Sequence, residues 1–275
     1  MHTTLIDIET LQAHLGDETW VVVDCRFSLA EPAAGRRAYL AAHIPGAMYA
    51  HLDEDLSNPA VTDHGRHPLP PPDVLLSRFS QMGIGPHTQV VAYDDVNGMI
   101  AARLWWMLRY MGHTAVAVLD GGWPLWSAAG LPTRSGEEKR DTAVFQGQPR
   151  QEWLVQVEQV SSLPLLVDSR DAARYRGELE TIDPVAGRIP GAVNYYYQAN
   201  WTTDGRYLPP SALRAQLMAL LGDTPPEQTT FYCGSGVSAC VNLLALAHSE
   251  LGDGRLYAGS WSEWCRDPER PVESG

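Results

Sequence analysis

The chain repeats itself, and no other feature limits its fold so strongly. "WVVVDCR" at Trp20–Arg26 returns as "PLLVDSR" at Pro164–Arg170, and "HIPGAMY" at His43–Tyr49 as "RIPGAVN" at Arg188–Asn194. "VVAYDD" at Val90–Asp95 is echoed by "TTFYCG" at Thr229–Gly234, and "LDGGW" at Leu119–Trp123 by "YAGSW" at Tyr257–Trp261. The four matches keep their order and stand roughly 140 residues apart, the mark of a duplicated unit. Length agrees, since 275 residues with 44% hydrophobic content can bury two ordinary cores.

Each unit has α/β grammar. Short β-rich runs such as "VVVD" and "LLVD" end in an acidic residue and an arginine, as buried parallel strands end in polar loops. Ile100, Leu104, Met107, Leu108 and Met111 follow "VVAYDDVNG" at helical spacing, as Cys240, Leu243, Leu244 and Ala247 follow "FYCGSG". Strands alternating with helices predict a parallel sheet flanked by helices in each unit, with sites at the carboxyl ends of strands. The polar stretch "TRSGEEKRDTAVFQGQPRQ" carries no sustained pattern and reads as the linker. The expected domains are residues 1–133 and 152–275, joined by 134–151.

Composition removes several function classes. A formal charge of −13 repels nucleic acid and anionic membranes, so an anionic small substrate needs locally placed arginines. No apolar stretch reaches membrane-spanning length, and the start shows no secretory pattern, so a cytoplasmic location is expected. Cys25, Cys233, Cys240 and Cys265 show no paired spacing, which signals neither a metal site nor a disulfide framework.

Cys233 stands apart from the other three. A strand ending at Tyr232 and a helix starting near Val237 leave it in a tight loop whose glycines let backbone N–H groups turn inward. Such amides and a helix N-terminus stabilise an anion, here a thiolate, which is the nucleophilic form of cysteine. The alternative is a small buried hydrophobe; that reading suits Cys240, on an apolar helix face, and Cys25 and Cys265 are taken as incidental. The repeat supplies an internal control. Its equivalent of Cys233 is Asp94, which cannot be a soft sulfur nucleophile, so only the second unit can act by this route.

Together, the "VD.R", "HIPGA" and "GGW" or "GSW.EW" signatures, with "CGSGV" in the second unit only, resemble the two-domain rhodanese family of sulfurtransferases over nearly the whole chain. The loop is most similar to the 3-mercaptopyruvate sulfurtransferase branch. The resemblance implies tandem rhodanese-like domains, the first inactive. It further implies sulfur transfer through a Cys233 persulfide with release of pyruvate, and neither metal nor organic cofactor. Acceptors would be cyanide or a thiol such as thioredoxin or glutathione. Gly234, Ser235, Gly236, Val237 and Ser238 form the donor loop, with Ser238 where threonine is usual. Thiosulfate-using relatives typically carry a basic residue right after the cysteine, a place held here by Gly234. A serine–histidine–aspartate relay maps to Ser235, His67 and Asp53, with His64 a rival for His67.

Two arginines before the second "IPG" bind the donor carboxylate in the family. Arg174 matches the first, but "ELETIDPVAG" (Glu178–Gly187) is short and holds no arginine, so Arg176 or Arg188 is expected to substitute. Cysteine phosphatases share this loop geometry but need an arginine six positions after the cysteine, where this chain has Ala239. A thiosulfate:cyanide sulfurtransferase and a non-catalytic sulfur-relay or partner-binding module stay open. For the latter, Tyr195, Tyr196, Tyr197 and Trp201 would form a docking patch, unless they line the site or complete the core.

Overall fold

The computed structural model describes residues 1–61 and 63–275 and divides into two compact units. The first comprises Met1–Asn58, Pro70–Arg150 and Asp204–Arg206; the second comprises Pro59–Leu69, Gln151–Thr203 and Tyr207–Gly275. Two short segments are thus exchanged relative to chain order.

In the first unit, β1 (Leu5–Ile6), β2 (Trp20–Asp24), β3 (Met48–Tyr49), β4 (Gln89–Tyr93) and β5 (Val116–Leu119) form one parallel sheet in the order β1-β5-β4-β2-β3. In the second, β6 (Leu165–Asp168), β7 (Val193–Asn194), β8 (Thr229–Tyr232) and β9 (Arg255–Leu256) form a parallel sheet ordered β7-β6-β8-β9. The repeat is therefore topological. β2, β3, β4 and β5 correspond to β6, β7, β8 and β9, and the counterpart of β1 shrinks to one parallel bridge between Leu154 and Leu256. β4 and β8 are buried along their whole length, as central strands of a sheet covered on both faces must be. The helix Ala239–His248 that follows β8 is buried from Ala239 to Leu246, so it is apolar around most of its circumference.

The repeated motifs first explain the scaffold. Asp24 and Arg26 form a fully buried ion pair at 2.6 Å; the Tyr93 hydroxyl donates to Asp24, and the Arg26 guanidinium lies over Trp123 at 4.4 Å. Asp168 and Arg170 repeat the pair at 2.6 Å, with Arg170 over Trp261 at 4.8 Å. Each arginine also donates across to a backbone carbonyl just before its "IPG", of Ala42 and of Gly187. "VD.R", the tyrosine ending the next strand and the late tryptophan are one buried assembly, not a catalytic set. Breaking such a pair by removing one partner costs about 3–5 kcal/mol.

The stretch expected to be a linker packs onto the first unit. Arg134 bridges His43 in both backbone directions, Phe145 is buried edge-on against Phe79, and the Arg150 amide donates to Tyr110. Its polar composition reflects a surface strap with one aromatic anchor. No helix among the described residues is long and apolar enough to cross a membrane.

Candidate active site

β8 stops at Tyr232, and the loop from Cys233 to Ser238 turns the chain into the helix Ala239–His248. Three bonds from one neighbouring segment brace it. The Cys233 amide donates to Ser260 Oγ (3.1 Å), while Cys233 and Gly234 carbonyls accept from the Trp261 and Ser262 amides at 3.0 and 2.8 Å. Gly236 sits at φ +75°, and a Cβ there would stand 2.3 Å from the Ala258 carbonyl oxygen, so only glycine fits. Cys233 is 2% exposed. Val237 is buried beside it and Ser238 is half-buried at the helix start, without a side-chain cap bond.

The first unit shows what such a loop holds. Asp94 takes the place of Cys233, and Asn97 at φ +59° takes that of Gly236. The Asp94 carboxylate accepts four backbone amides: Val96 and Gly98 at 2.9 and 2.8 Å, Ile100 and Ala101 at 2.7 and 2.8 Å. A negative group one side-chain length from this strand end is thus solvated by backbone alone. Counted along the repeat, the corresponding amides in the second unit belong to Ser235, Val237, Ala239 and Cys240.

Segment 59–69, in sequence part of the first repeat, belongs to the second unit and brings a histidine to the loop. His67 Nδ1 and Ser235 Oγ lie 2.7 Å apart, both side chains buried. His64 turns instead to Glu263, Nδ1 to Oε1 at 2.9 Å, and the Arg66 amide donates to Ser262 Oγ at 2.9 Å. Asp53 lies in the first unit, in the turn after His51, where its N–H donates to His51 Nδ1.

The arginines sort differently from expectation. Arg174 stands beside the loop: its Nη1 and Nη2 are 3.5 and 3.6 Å from where a Cβ on Gly234 would be. Arg176 is exposed and paired with Glu178 at 2.6 Å. Arg188 is bound to Glu273 at 2.6 Å and to the Gly275 carbonyl, and it stacks on Tyr175. Neither of these two reaches the position above Gly234. The guanidinium that does is Arg66, whose Nη2 is 3.1 Å from the same point. Arg66 is visible in "GRHPLP" one residue before His67, but its place in the first repeat by chain order hides its destination. Glu180 and Asp183 were equally unsignalled. They come from the segment lacking an arginine, and Glu180 grips Arg174 through Nε and Nη2 while Asp183 bridges Arg66 (2.7 Å) and Arg174 (3.1 Å).

The remaining cysteines are free and buried. Burial, with the carboxylates of Asp94 and Asp24 nearby, raises Cys25 well above its ordinary value, and burial raises Cys265. Cys240 donates to the Gly236 carbonyl inside the helix. Tyr196, Tyr197, Trp201 and Tyr207 form a chain of edge-to-face rings, half-buried at most positions, and Tyr195 bonds Asn200 and Gln216.

Two parallel sheets, each leading through a loop into a buried helix, define a tandem of α/β domains of which only the second carries a cysteine in that loop. A model of the rhodanese-like domain matches residues 7–129 and 151–267, so the chain belongs to the rhodanese family. It is 45% identical over 280 residues to the probable 3-mercaptopyruvate sulfurtransferase of Pseudomonas aeruginosa, covering 98% of each chain. It is 39% identical over 263 residues to a putative thiosulfate sulfurtransferase of Mycobacterium tuberculosis, covering 92% of this chain and 90% of that protein. The structure of 3-mercaptopyruvate sulfurtransferase from Leishmania major superposes with a TM-score of 0.86 at 31% identity, over 98% of this chain and 76% of that one. The chain is accordingly a sulfurtransferase.

Proposed function

We propose that the protein transfers the sulfane sulfur of 3-mercaptopyruvate through a Cys233 persulfide. The observation that carries this reading is the buried 2.7 Å contact between Ser235, two residues after the thiol, and His67. The Cys233 thiolate attacks the donor's sulfur; an S–S bond forms, the C–S bond breaks, and its electron pair leaves as the enolate of pyruvate. The proton carried by the donor thiol ends on the enolate carbon. Ser235 and His67 supply a route for it, since imidazole is the side chain suited to move a proton near neutrality. The persulfide anion rests on loop amides as the Asp94 carboxylate rests on its own. Cyanide, or a thiol such as thioredoxin or glutathione, then takes the terminal sulfur and restores the thiolate.

The relative with 39% identity favours a second reading, thiosulfate as donor. The deciding experiment is a steady-state comparison of both donors with cyanide as common acceptor. A higher kcat/KM for mercaptopyruvate is expected, and a higher value for thiosulfate would replace the donor. Cys233→Ser should abolish turnover and the persulfide seen by mass spectrometry while leaving the melting temperature unchanged; sulfur transfer by that variant would remove the mechanism.

A further inference from the structure

Three non-glycine residues among those described have positive φ: Asn97, Glu250 and Ser260. Asn97 and Glu250 reach solvent, but Ser260 is 0% exposed and holds φ +55° beside the cysteine loop. A side chain in this left-handed region is strained, and strain kept inside a structure points to a task. The repeat supplies the contrast, since the counterpart of Ser260 is Gly122 at φ +52°, where glycine carries no such strain. We infer that Ser260 is a positioning residue for the nucleophile, held in a strained conformation because its hydroxyl fixes the Cys233 amide. The inference rests on the proposed attack by Cys233 and adds the residue that aims it.

The serine hydroxyl has one hydrogen, which it donates to the Tyr257 carbonyl at 2.9 Å. A lone pair is left to accept the Cys233 N–H at 3.1 Å. Tyr257 follows β9, and its own amide donates to the Phe231 carbonyl of β8 at 3.0 Å, so the hold on Cys233 runs back to the sheet. The next residue completes it, since the Trp261 amide donates to the Cys233 carbonyl at 3.0 Å. Both peptide groups flanking the Cys233 α-carbon are then fixed, and the thiol keeps only its χ1 torsion. The first unit shows where such a serine is dispensable. Trp123 donates to the Asp94 carbonyl at 2.8 Å as Trp261 does to that of Cys233, but Gly122 has no side chain to offer the Asp94 amide. Asp94 is tethered instead by its own carboxylate, through four backbone amides. A reacting thiol cannot be tied down in that way, so its backbone has to be held from outside. Space agrees with this division: a Cβ on Gly122 would stand 2.4 Å from the Asp94 carbonyl oxygen, whereas the second unit has room for the side chain that the first excludes.

Ser260→Gly and Ser260→Ala separate aiming from packing. Glycine removes the hydroxyl and relieves the strain, so the two effects offset and Tm should stay within about 4 °C of wild type. Alanine removes the hydroxyl and keeps the strain, and Tm should fall by roughly 4–10 °C. Persulfide formation, followed by rapid quench and mass spectrometry at saturating donor, should slow at least about tenfold in both variants. The donor concentration giving half the maximal rate should change by less than about twofold, because aim acts on the transition state and not on donor binding. The loss should be the same with 3-mercaptopyruvate and with thiosulfate, since it belongs to the nucleophile. A Ser260→Gly protein that forms the persulfide at the wild-type rate, or rates that merely follow Tm across the two variants, would reduce Ser260 to a packing residue. A Ser260→Gly protein melting far below wild type would refute the strain argument, and a change confined to half-saturation would overturn the assignment in favour of donor binding. A wild type that takes sulfur from thiosulfate alone would instead refute the proposed donor, with the thiosulfate comparison still deciding the role of Ser260.

Discussion

Gly236→Ala is the sharpest probe of the loop, because its cost can be worked from two separate terms. At φ +75° an alanine incurs the left-handed penalty, about 1–2 kcal/mol. Its Cβ would also stand 2.3 Å from the Ala258 carbonyl oxygen, a backbone atom that cannot swing aside. Overpacking of this kind adds about 1–3 kcal/mol, for a total near 3 kcal/mol. The displaced segment is the one whose Ser260, Trp261 and Ser262 brace Cys233 and Gly234, so Cys233 shifts with it. Two controls isolate the clash. Gly191 has the same sign of φ, +77°, with nothing within 4 Å of where an alanine methyl would stand, and Asn97 holds φ +59° in the first unit. Gly191→Ala and Asn97→Ala should each cost about 1 kcal/mol and leave sulfur transfer intact. Gly236→Ala should lower Tm by roughly 5–10 °C and cut kcat at least about tenfold. Thermal denaturation with a parallel cyanide assay reads both; a Gly236→Ala protein as stable and active as Gly191→Ala would refute the steric argument.

Two further outcomes follow from the site. Ser235→Ala and His67→Gln should each slow pyruvate release about 10²- to 10⁴-fold in single-turnover experiments, while discharge of a preformed persulfide by cyanide changes little; equal effects on both half-reactions would deny them a part in proton movement. The hydrogen bond to Glu263 raises His64 above its usual 6.5, with burial opposing. A raised folded-state value means that the protonated form is favoured, so this tie on segment 63–69 is fully present below pH 6.5 and is lost as pH rises through the raised value. The protection of the Arg66 amide, relative to its intrinsic base-catalysed exchange, should therefore fall over that interval, and His64→Ala should make that protection independent of pH.

The duplication and the α/β class were legible because each is written locally, in strands ending "VD.R" or "FYC" and in glycines at fixed offsets. The Asp168–Arg170–Trp261 assembly was legible as a motif but not as a scaffold, since only packing shows that its charges are satisfied by each other. Arg66 was hidden for a different reason. Chain order assigns Gly65–Leu69 to the first repeat, whereas packing places it in the second unit. With no arginine in Glu178–Gly187, nearness in sequence favours Arg176 and Arg188, yet these are engaged with Glu178 and Glu273.

The two halves also show how a duplicated site can diverge through one residue. In both, a strand ends in a loop with one left-handed residue, Asn97 or Gly236, before a buried helix. In the first, burial raises the Asp94 carboxyl and four amide hydrogen bonds oppose that rise, so the loop is filled by the chain's own side chain. A permanent carboxylate leaves no vacancy for a transferred sulfur. In the second, a thiol reaches less far than a carboxylate, and the proposed persulfide would extend it by one atom. On this argument the loop is at its most satisfied when the cysteine carries sulfur, so sulfur loading should stabilise the second unit against unfolding. Differential melting of the persulfide and reduced forms measures that gain, and a reduced form that melts at the same or a higher temperature would show that the amide cradle does not serve the transferred sulfur.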